Sequence, residues 1–172
     1  LYGGAMMEPL AFKGFQWANP RTLSLKDGGV SSSNNKYNLK VVNKLCEVKD
    51  PMKEHTGYMV EVDIDYPKRL HDTHNLYPLL AEKMRIDPKD YSKWQKECCE
   101  KLKLAPSKAV KLVATLLDKK NYILDVRMLK FALEQGLVLR KVHKVLKFKQ
   151  KAWLKPYIDM NTNLRAAGET DF

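Results

Sequence analysis

The stretch GYMVEVDIDYP, residues 57–67, carries the clearest structural signal in this sequence. Its side chains alternate between two faces, one mainly apolar and the other mainly acidic. The apolar face holds Tyr58, Val60, Val62 and Ile64, and the opposite face holds Met59, Glu61, Asp63 and Asp65. A period of two is typical of a strand with one buried face. We therefore predict a half-buried strand that ends before Pro67.

A second alternating stretch, LVLRKVHKVLKFK at residues 137–149, predicts another strand. Its apolar positions are Val138, Val142, Leu146 and Phe148, and its polar positions are Lys141, His143, Lys147 and Lys149. Strict alternation would present a row of cations on one face and place Lys144 on the apolar face. AFKGFQWANP (11–20) and AVKLVATLL (109–117) predict further extended segments.

Three segments predict helices. NYILDVRMLKFALEQG (121–136) spaces its apolar residues at helical intervals and ends at Gly136, and DPKDYSKWQKECCEKL (87–102) begins with the helix-opening pair Asp87 and Pro88. WLKPYIDMNTNLRAAGETD (153–171) places Leu154, Ile158, Asn161 and Arg165 on one helical stripe. Strands followed by separate helices predict an α+β fold.

Residues 24–56 give the weakest signal. KDGGVSSSNNKYN (26–38) gathers turn-forming and polar residues, so we predict a poorly ordered loop or variable insertion there. HDTHNLYPLL (71–80) predicts an irregular crossing segment.

The positive charge is unevenly distributed. The 172 residues carry a net charge of +11, and residues 101–155 hold 15 Lys or Arg against three carboxylates. Such segregation favours a surface that contacts phosphates. The alternative is a lysine-rich surface that only keeps the protein soluble, but this would not require the charges to lie in one region.

Composition also bounds the setting of the protein. No run approaches the roughly 18 apolar residues that span a bilayer, and no signal peptide is visible. Three cysteines, two of them adjacent, favour a reducing compartment. We therefore expect no membrane partner and an intracellular location, which leaves nucleus, cytoplasm and organelle open.

Two apparent metal sites have ordinary explanations. Asp63 and Asp65 point the same way on the predicted strand and would be able to share a divalent ion, but exposed strands often carry such pairs. His71 and His74 together with Cys98 and Cys99 imitate a zinc site, yet their spacing fits no standard finger or knuckle. We predict no metal ligand among them.

Three blocks resemble the palm-to-fingers region of family B DNA polymerases of the protein-primed, viral and organellar type. They are LYGGAMMEPL (1–10), GYMVEVDIDYPKRLHDTHNLYPLLAEKM (57–84) and WLKPYIDMNTNLRAAGETDF (153–172). The likeness is greatest to the polymerases of Maverick or Polinton transposons and their viral relatives. It covers about residues 1–17, 57–85 and 112–172, and residues 24–56 depart from it.

The resemblance assigns roles to both ends of the chain. The first polymerase motif of the family ends in Leu-Tyr-Gly, which Leu1 and Tyr2 match, and its metal-binding aspartate would precede Leu1. We therefore expect a fragment with no catalytic residue and no Mg2+ of its own, although the intact parent would use Mg2+. Tyr2 would exclude the 2′-hydroxyl of an incoming dNTP, and Arg165 would bind its phosphates. The alternatives are a buried aromatic and a snorkelling arginine.

The resemblance also divides the chain into regions. Residues 1–23 would end the first palm motif, residues 57–149 would form an insertion that contacts template-primer DNA and a priming terminal protein, and residues 150–172 would begin the fingers. We expect phosphate contacts from Lys141, Lys144, Lys147, Lys149 and Lys155. The alternative to part of a DNA polymerase is a non-enzymatic basic module that binds nucleic acid or protein, or an inactive remnant of a mobile element.

Overall fold

The computed structural model describes residues 2–28, 32–107 and 109–168, and these combine helices and strands. The strands are β1 (Leu10–Ala18), β2 (His55–Asp65), β3 (Glu82–Met84), β4 (Lys111–Val113), β5 (Lys119–Asp125) and β6 (Val138–Lys151). The helices are α1 (Tyr2–Met6), α2 (Ser32–Cys46), α3 (His71–His74), α4 (Lys93–Lys101), α5 (Val126–Glu134) and α6 (Lys155–Ala167). The predicted α+β class is confirmed.

The chain divides into two compact units. Unit 1 comprises Leu1–Asp65 and Asp118–Phe172, and unit 2 comprises Tyr66–Leu117. In unit 1 four antiparallel strands form one sheet in the order β1-β6-β2-β5. Unit 2 contains the two-stranded β3–β4 sheet.

The alternation predicted for β2 is confirmed from Val60 to Asp65, whereas Tyr58, predicted on the buried face, is only partly buried. Val60, Val62 and Ile64 are almost fully buried, and the side chains between them are partly exposed. The buried face belongs to a core to which α5 contributes Leu129 and Leu133 and α2 contributes Val42. Helix α5 contacts α2 as well as strands β2, β5 and β6, so the two helices and the sheet bury one another's apolar side chains.

The helix predicted over residues 121–136 is wrong in its first part. Residues 119–125 form β5 and pair with β2, and α5 begins only at Val126, where the Asp125 carboxylate accepts the backbone N–H of Arg127. The β-sheet partner outweighs the helical spacing of the apolar residues in this segment. Gly136 has a φ of 91° and follows the helix, as predicted.

The loop predicted over residues 24–56 is also wrong where the structure describes it. Residues Ser32–Cys46 form α2, and Val42 on this helix is completely buried. Asn38, also buried, holds the preceding turn because its side-chain amide donates to the Lys26 carbonyl and accepts the Lys26 N–H, both at 2.9 Å. Gly29, Val30 and Ser31 lie outside the described residues.

The turn before α2 is fastened directly to β6. The Gly28 N–H donates to the Arg140 carbonyl at 3.0 Å, and the Asp27 carboxylate accepts the Val142 N–H at 3.1 Å. A Cβ atom on Gly28 would lie 2.8 Å from the Leu139 carbonyl oxygen. Close backbone approach therefore requires glycine at this position.

Replacing Gly28 by alanine is expected to lower the free energy of unfolding by about 1–3 kcal/mol, because the added methyl group forces the turn away from β6. Gly4→Ala is the matched control, since a Cβ there meets nothing within 4 Å and alanine favours the helix. Urea unfolding followed by circular dichroism measures both variants. Equal stability of Gly28→Ala and the wild type would contradict the close approach.

In unit 2 the predicted helix begins later than expected. Asp87 and Pro88 open a 3-10 turn, Pro88–Asp90, and α4 follows from Lys93 with Ser92 as its N-cap. Ser92 and Gln95 form a capping box, a stronger start signal than the Asp-Pro pair. Strand β4 confirms the extended segment predicted over residues 109–117, but only for three residues.

The structure bears on two predictions about setting. None of the helices in the described part of the chain has the length and apolar character needed to cross a membrane. Cys46, Cys98 and Cys99 are all free thiols, and burial raises the pKa of Cys46.

Candidate nucleic-acid interface

Strand β6 contains two β-bulges. Its pairing with β2 skips one residue at His143 and another at Arg140. Each extra residue turns the side chains beyond it toward the other face of the sheet. The strict alternation predicted for residues 137–149 is therefore wrong, although the strand itself is confirmed.

The bulge at His143 places Lys141 on the same face as Lys144, so the four predicted phosphate-binding lysines of β6 are divided between two faces. Lys141 and Lys144 lie on the face that carries the β2 carboxylates, and Lys147 and Lys149 lie on the opposite face, because cross-strand partners point to the same side. The pairs are Asp63–Lys141, Glu61–Lys144, Tyr58–Lys147 and Thr56–Lys149. The single cationic row is thus wrong, and Lys144 is exposed rather than directed toward the core.

The first of these faces, which we call the carboxylate face, consists of Glu61, Asp63 and Asp65 with the β6 bases opposite them. Glu61 is 2.9 Å from Lys144 Nζ, Asp63 Oδ1 is 2.9 Å from His143 Nε2, and Asp65 pairs with Arg140. These pairs largely offset the positive charge of β6 on this side. The carboxylate face is therefore poorly suited to phosphate.

The carboxylate face also bears on the divalent-ion alternative. Asp63 accepts the backbone N–H of Asn121 at 2.9 Å, and this bond, together with His143, lowers the pKa of Asp63 below its ordinary value. Asp63 and Asp65 do share a face, but each is already engaged with β6. Among the described residues no group of three or more His, Cys, Asp or Glu side chains is arranged to hold a metal ion.

The second face carries four lysines, Lys13, Lys147, Lys149 and Lys151, which we call the lysine face. Lys13 of β1 lies opposite Lys149, and Lys147 and Lys151 flank Lys149 at every second position of β6. The intervening Phe148 and Gln150 are buried, so this half of β6 turns its lysines outward. The buried face of β6 changes between Val145 and Phe148, so the strand exposes opposite faces at its two ends.

The lysine face retains a net positive charge. Glu54 is 2.7 Å from Lys13 and 3.7 Å from Lys149, and the hydrogen bond from Lys13 lowers the pKa of Glu54. Lys147 and Lys151 form no ion pair with a carboxylate in the described ranges. The Lys13 and Lys151 ammonium groups lie 5.2 and 5.5 Å from the centre of the Phe12 ring, which stabilises closely spaced cations.

Two of these four lysines were absent from the predicted set. Lys151 continues the every-second-residue series of Lys147 and Lys149, so this signal was present in the sequence. Lys13 lies in an apolar strand whose partner only the structure reveals. Lys155, which was in the set, starts α6 and forms an ion pair with Asp159 at 2.8 Å.

The predicted nucleotide-binding residues lie on two helices that contact each other. Tyr2 begins α1, Arg165 lies near the end of α6, and α1 contacts α6. Tyr2 is 83% exposed, so the alternative of a buried aromatic is wrong. Arg165 is exposed, and Leu154 and Ile158 of its stripe are partly buried. Leu1 lies outside the described residues.

His71 and His74 contact Tyr66 instead of forming a zinc site. The Tyr66 hydroxyl is 2.7 Å from His74 Nδ1, and His71 Nε2 donates to the Tyr66 carbonyl at 3.3 Å. Both imidazole rings stack edge-on against the Tyr66 ring. No local pattern predicts this cluster, because in the sequence Tyr66 is only the last residue before Pro67 at the end of an alternating stretch.

Comparison of the chain with protein-family models, curated proteins and solved structures finds no match in any of the three.

Proposed function

We propose that this chain is part of a family B DNA-directed DNA polymerase of the protein-primed type, which extends DNA from dNTPs in the replication of a viral or transposon genome. The sequence blocks at residues 1–10, 57–84 and 153–172 are the basis of the proposal. In this proposal α1 bears the residue that faces the sugar, and α6 begins the fingers.

The contact between α1 and α6 is the observation that best supports the proposal. Tyr2 and Arg165 are far apart in the sequence, yet their helices contact each other in unit 1. A polymerase must approach one nucleotide from two sides, with an aromatic side chain at the sugar and a cation at the phosphates. Arginine suits the second task because its guanidinium binds phosphate oxygens bidentately.

The lysine face supports the DNA contact in this proposal. Lysines are point charges that bind phosphate without reading bases, which gives affinity without sequence preference. A replicative enzyme needs this property because it traverses any sequence. We assign the contact to Lys13, Lys147, Lys149 and Lys151 instead of the five lysines predicted from sequence.

The two-metal mechanism of the family requires Mg2+ held by carboxylates. The described residues do not fit such a site, since no group of three or more ligating side chains is present among them. We therefore derive no catalytic step from this chain and propose for it only nucleotide and DNA contacts.

The chain is expected to bind duplex DNA without sequence preference, with an affinity that falls as salt rises, at a log–log slope of about −0.9 per phosphate contacted. The double variant Lys147→Ser, Lys151→Ser should reduce the steepness of this slope by about 1.8, because it removes two contacts. Fluorescence anisotropy between 50 and about 300 mM salt measures the slope.

The matched control for this experiment is Lys141→Ser with Lys144→Ser on the carboxylate face, where Lys144 is already paired with Glu61. We expect its salt slope to stay near that of the wild type. If the salt slope becomes less steep by the same amount in both double variants, the assignment to the lysine face is wrong. Binding that does not respond to salt would argue against the DNA contact and favour a module that binds protein.

A further inference from the structure

One loop of unit 2, residues 75–78, is held closed by a single buried side chain. Tyr66 is 3% exposed, and its hydroxyl lies 2.7 Å from His74 Nδ1 and accepts the Leu79 N–H at 3.3 Å. His74 precedes the loop and Leu79 follows it. The phenol therefore fastens both ends of the loop to Tyr66, the first residue of unit 2.

The backbone of this loop is restricted as well. The Tyr77 N–H donates to the His74 carbonyl at 3.1 Å, and Pro78 limits the conformations open to Tyr77. Leu80, two residues after the loop, is buried and has a φ of +59°, a conformation that non-glycine residues rarely adopt. Such a residue persists only where the surrounding structure holds it, and such positions cluster at functional sites.

The closed loop displays two apolar side chains to solvent. Leu76 and Tyr77 are each 84% exposed, more than Val110 and Leu112 elsewhere in the same unit. Exposed apolar side chains on a restrained loop are typical of binding surfaces, because little conformational entropy is lost when they are covered. The sequence predicted only an irregular segment here.

The chemistry around the loop points to nucleic acid. The turn Lys68–Leu70 directly precedes α3 in the chain, and Lys68 is exposed on it. Two apolar side chains cover far less than the roughly 800 Å² per partner of a standard protein interface, but they suffice for one base. Cationic side chains together with an exposed aromatic ring are the combination that binds single strands.

We propose that Tyr77 stacks on an unpaired base of single-stranded DNA, with Leu76 against the edge of that base and Lys68 toward the adjacent phosphate. This inference rests on the proposed function, in which the chain contacts DNA, and adds a single-strand site in unit 2. A stacked ring accepts every base because each base has a π-face, so no sequence preference is expected.

The test compares an oligothymidylate of about 12 nucleotides with a duplex of similar length, using the full chain. Tyr77→Ala should weaken binding of the single strand about 5- to 150-fold, the effect of losing one stacked base, and change duplex binding less than about twofold. Tyr77→Phe should bind both nearly as the wild type does. Trp94→Ala is the control, an aromatic residue of the same unit that is 71% exposed.

A second readout uses a single strand with one 2-aminopurine, whose fluorescence is quenched by stacking. The quench should vanish in Tyr77→Ala and persist in Tyr77→Phe. Unchanged single-strand binding by Tyr77→Ala, with the salt response intact, would overturn the stacking and leave the DNA contact of the lysine face standing. An equal loss of affinity of Tyr77→Ala for the single strand and the duplex would also overturn the proposed stacking. A wild-type chain that binds neither DNA would overturn the proposed DNA contact itself.

Discussion

Replacing Leu129 by alanine is expected to lower the free energy of unfolding by about 2–5 kcal/mol. Leu129 lies on α5, is completely buried, and belongs to the layer in which α5 packs on α2 and on the sheet. Alanine removes apolar contacts and leaves a cavity. The surrounding side chains fill it only in part, because α5 is packed against both α2 and the sheet. Chemical denaturation followed by far-ultraviolet circular dichroism measures the loss.

Met128→Ala is the matched control for this prediction. Met128 precedes Leu129 on the same helix but is 48% exposed, so its truncation tests helix propensity without opening a cavity. We expect it to change stability by less than about 0.5 kcal/mol. Similar losses for the two variants would mean that α5 does not bury the face described above.

Within the complete polymerase that we propose, Arg165→Ala is expected to reduce incorporation of all nucleotides by about ten- to a hundredfold. The loss of one charge-assisted contact to phosphate accounts for this range, about 1.5–3 kcal/mol. Tyr2→Ala is expected instead to raise ribonucleotide use relative to deoxynucleotide use, because it removes the ring that a 2′-hydroxyl would meet. Steady-state incorporation of matched ribo- and deoxynucleotides separates the two effects.

Arg165→Lys is the control for the arginine, since it keeps the charge but loses the bidentate geometry and should recover only part of the activity. The sugar ratio should stay constant in both Arg165 variants. An unchanged sugar ratio in Tyr2→Ala, or a changed ratio with normal uptake in Arg165→Ala, would be incompatible with the proposed function.

The parts of the fold predicted from sequence are those in which local pattern and tertiary environment agree. In the second half of β2 the apolar residues Val60, Val62 and Ile64 alternate with acidic residues, and these three are the buried ones. In α6 the proline falls in the first turn, where the missing N–H has no partner to lose. Gly136 ends α5 because its positive φ is costly for other residues.

The remaining parts depend on distant partners that a local pattern does not contain. Residues 119–125 have apolar spacing that suits a helix, but pairing with β2 makes them a strand. Helix α2 follows a run of turn formers, and its order depends on burial of Val42 against α5 and on Asn38 fastening the turn before it. The local sequence of these segments does not reveal either contact.

The candidate site was harder to predict than the fold. A bulge changes the face of every later side chain, so the lysine positions in β6 depended on a register that only β2 defines. The charge segregation pointed to the region that forms β6, but it did not separate Lys147, on the lysine face, from Lys144, which is neutralised by Glu61. Tyr2 and Arg165 remain predictions from resemblance.

Unit 2 is inserted between two neighbouring strands of the sheet, so the segment can vary in length without changing the sheet. The chain leaves β2 after Asp65 and re-enters β5 near Asp118, where Ile64 and Lys119 face each other in an antiparallel pair. Cα atoms of such a pair are about 4.5–5.5 Å apart, a span that a tight turn closes. The sheet therefore sets no length for what lies between, and closure entropy grows only slowly with length. A lineage of such proteins is free to lengthen, shorten or replace this segment while the sheet of unit 1 stays the same.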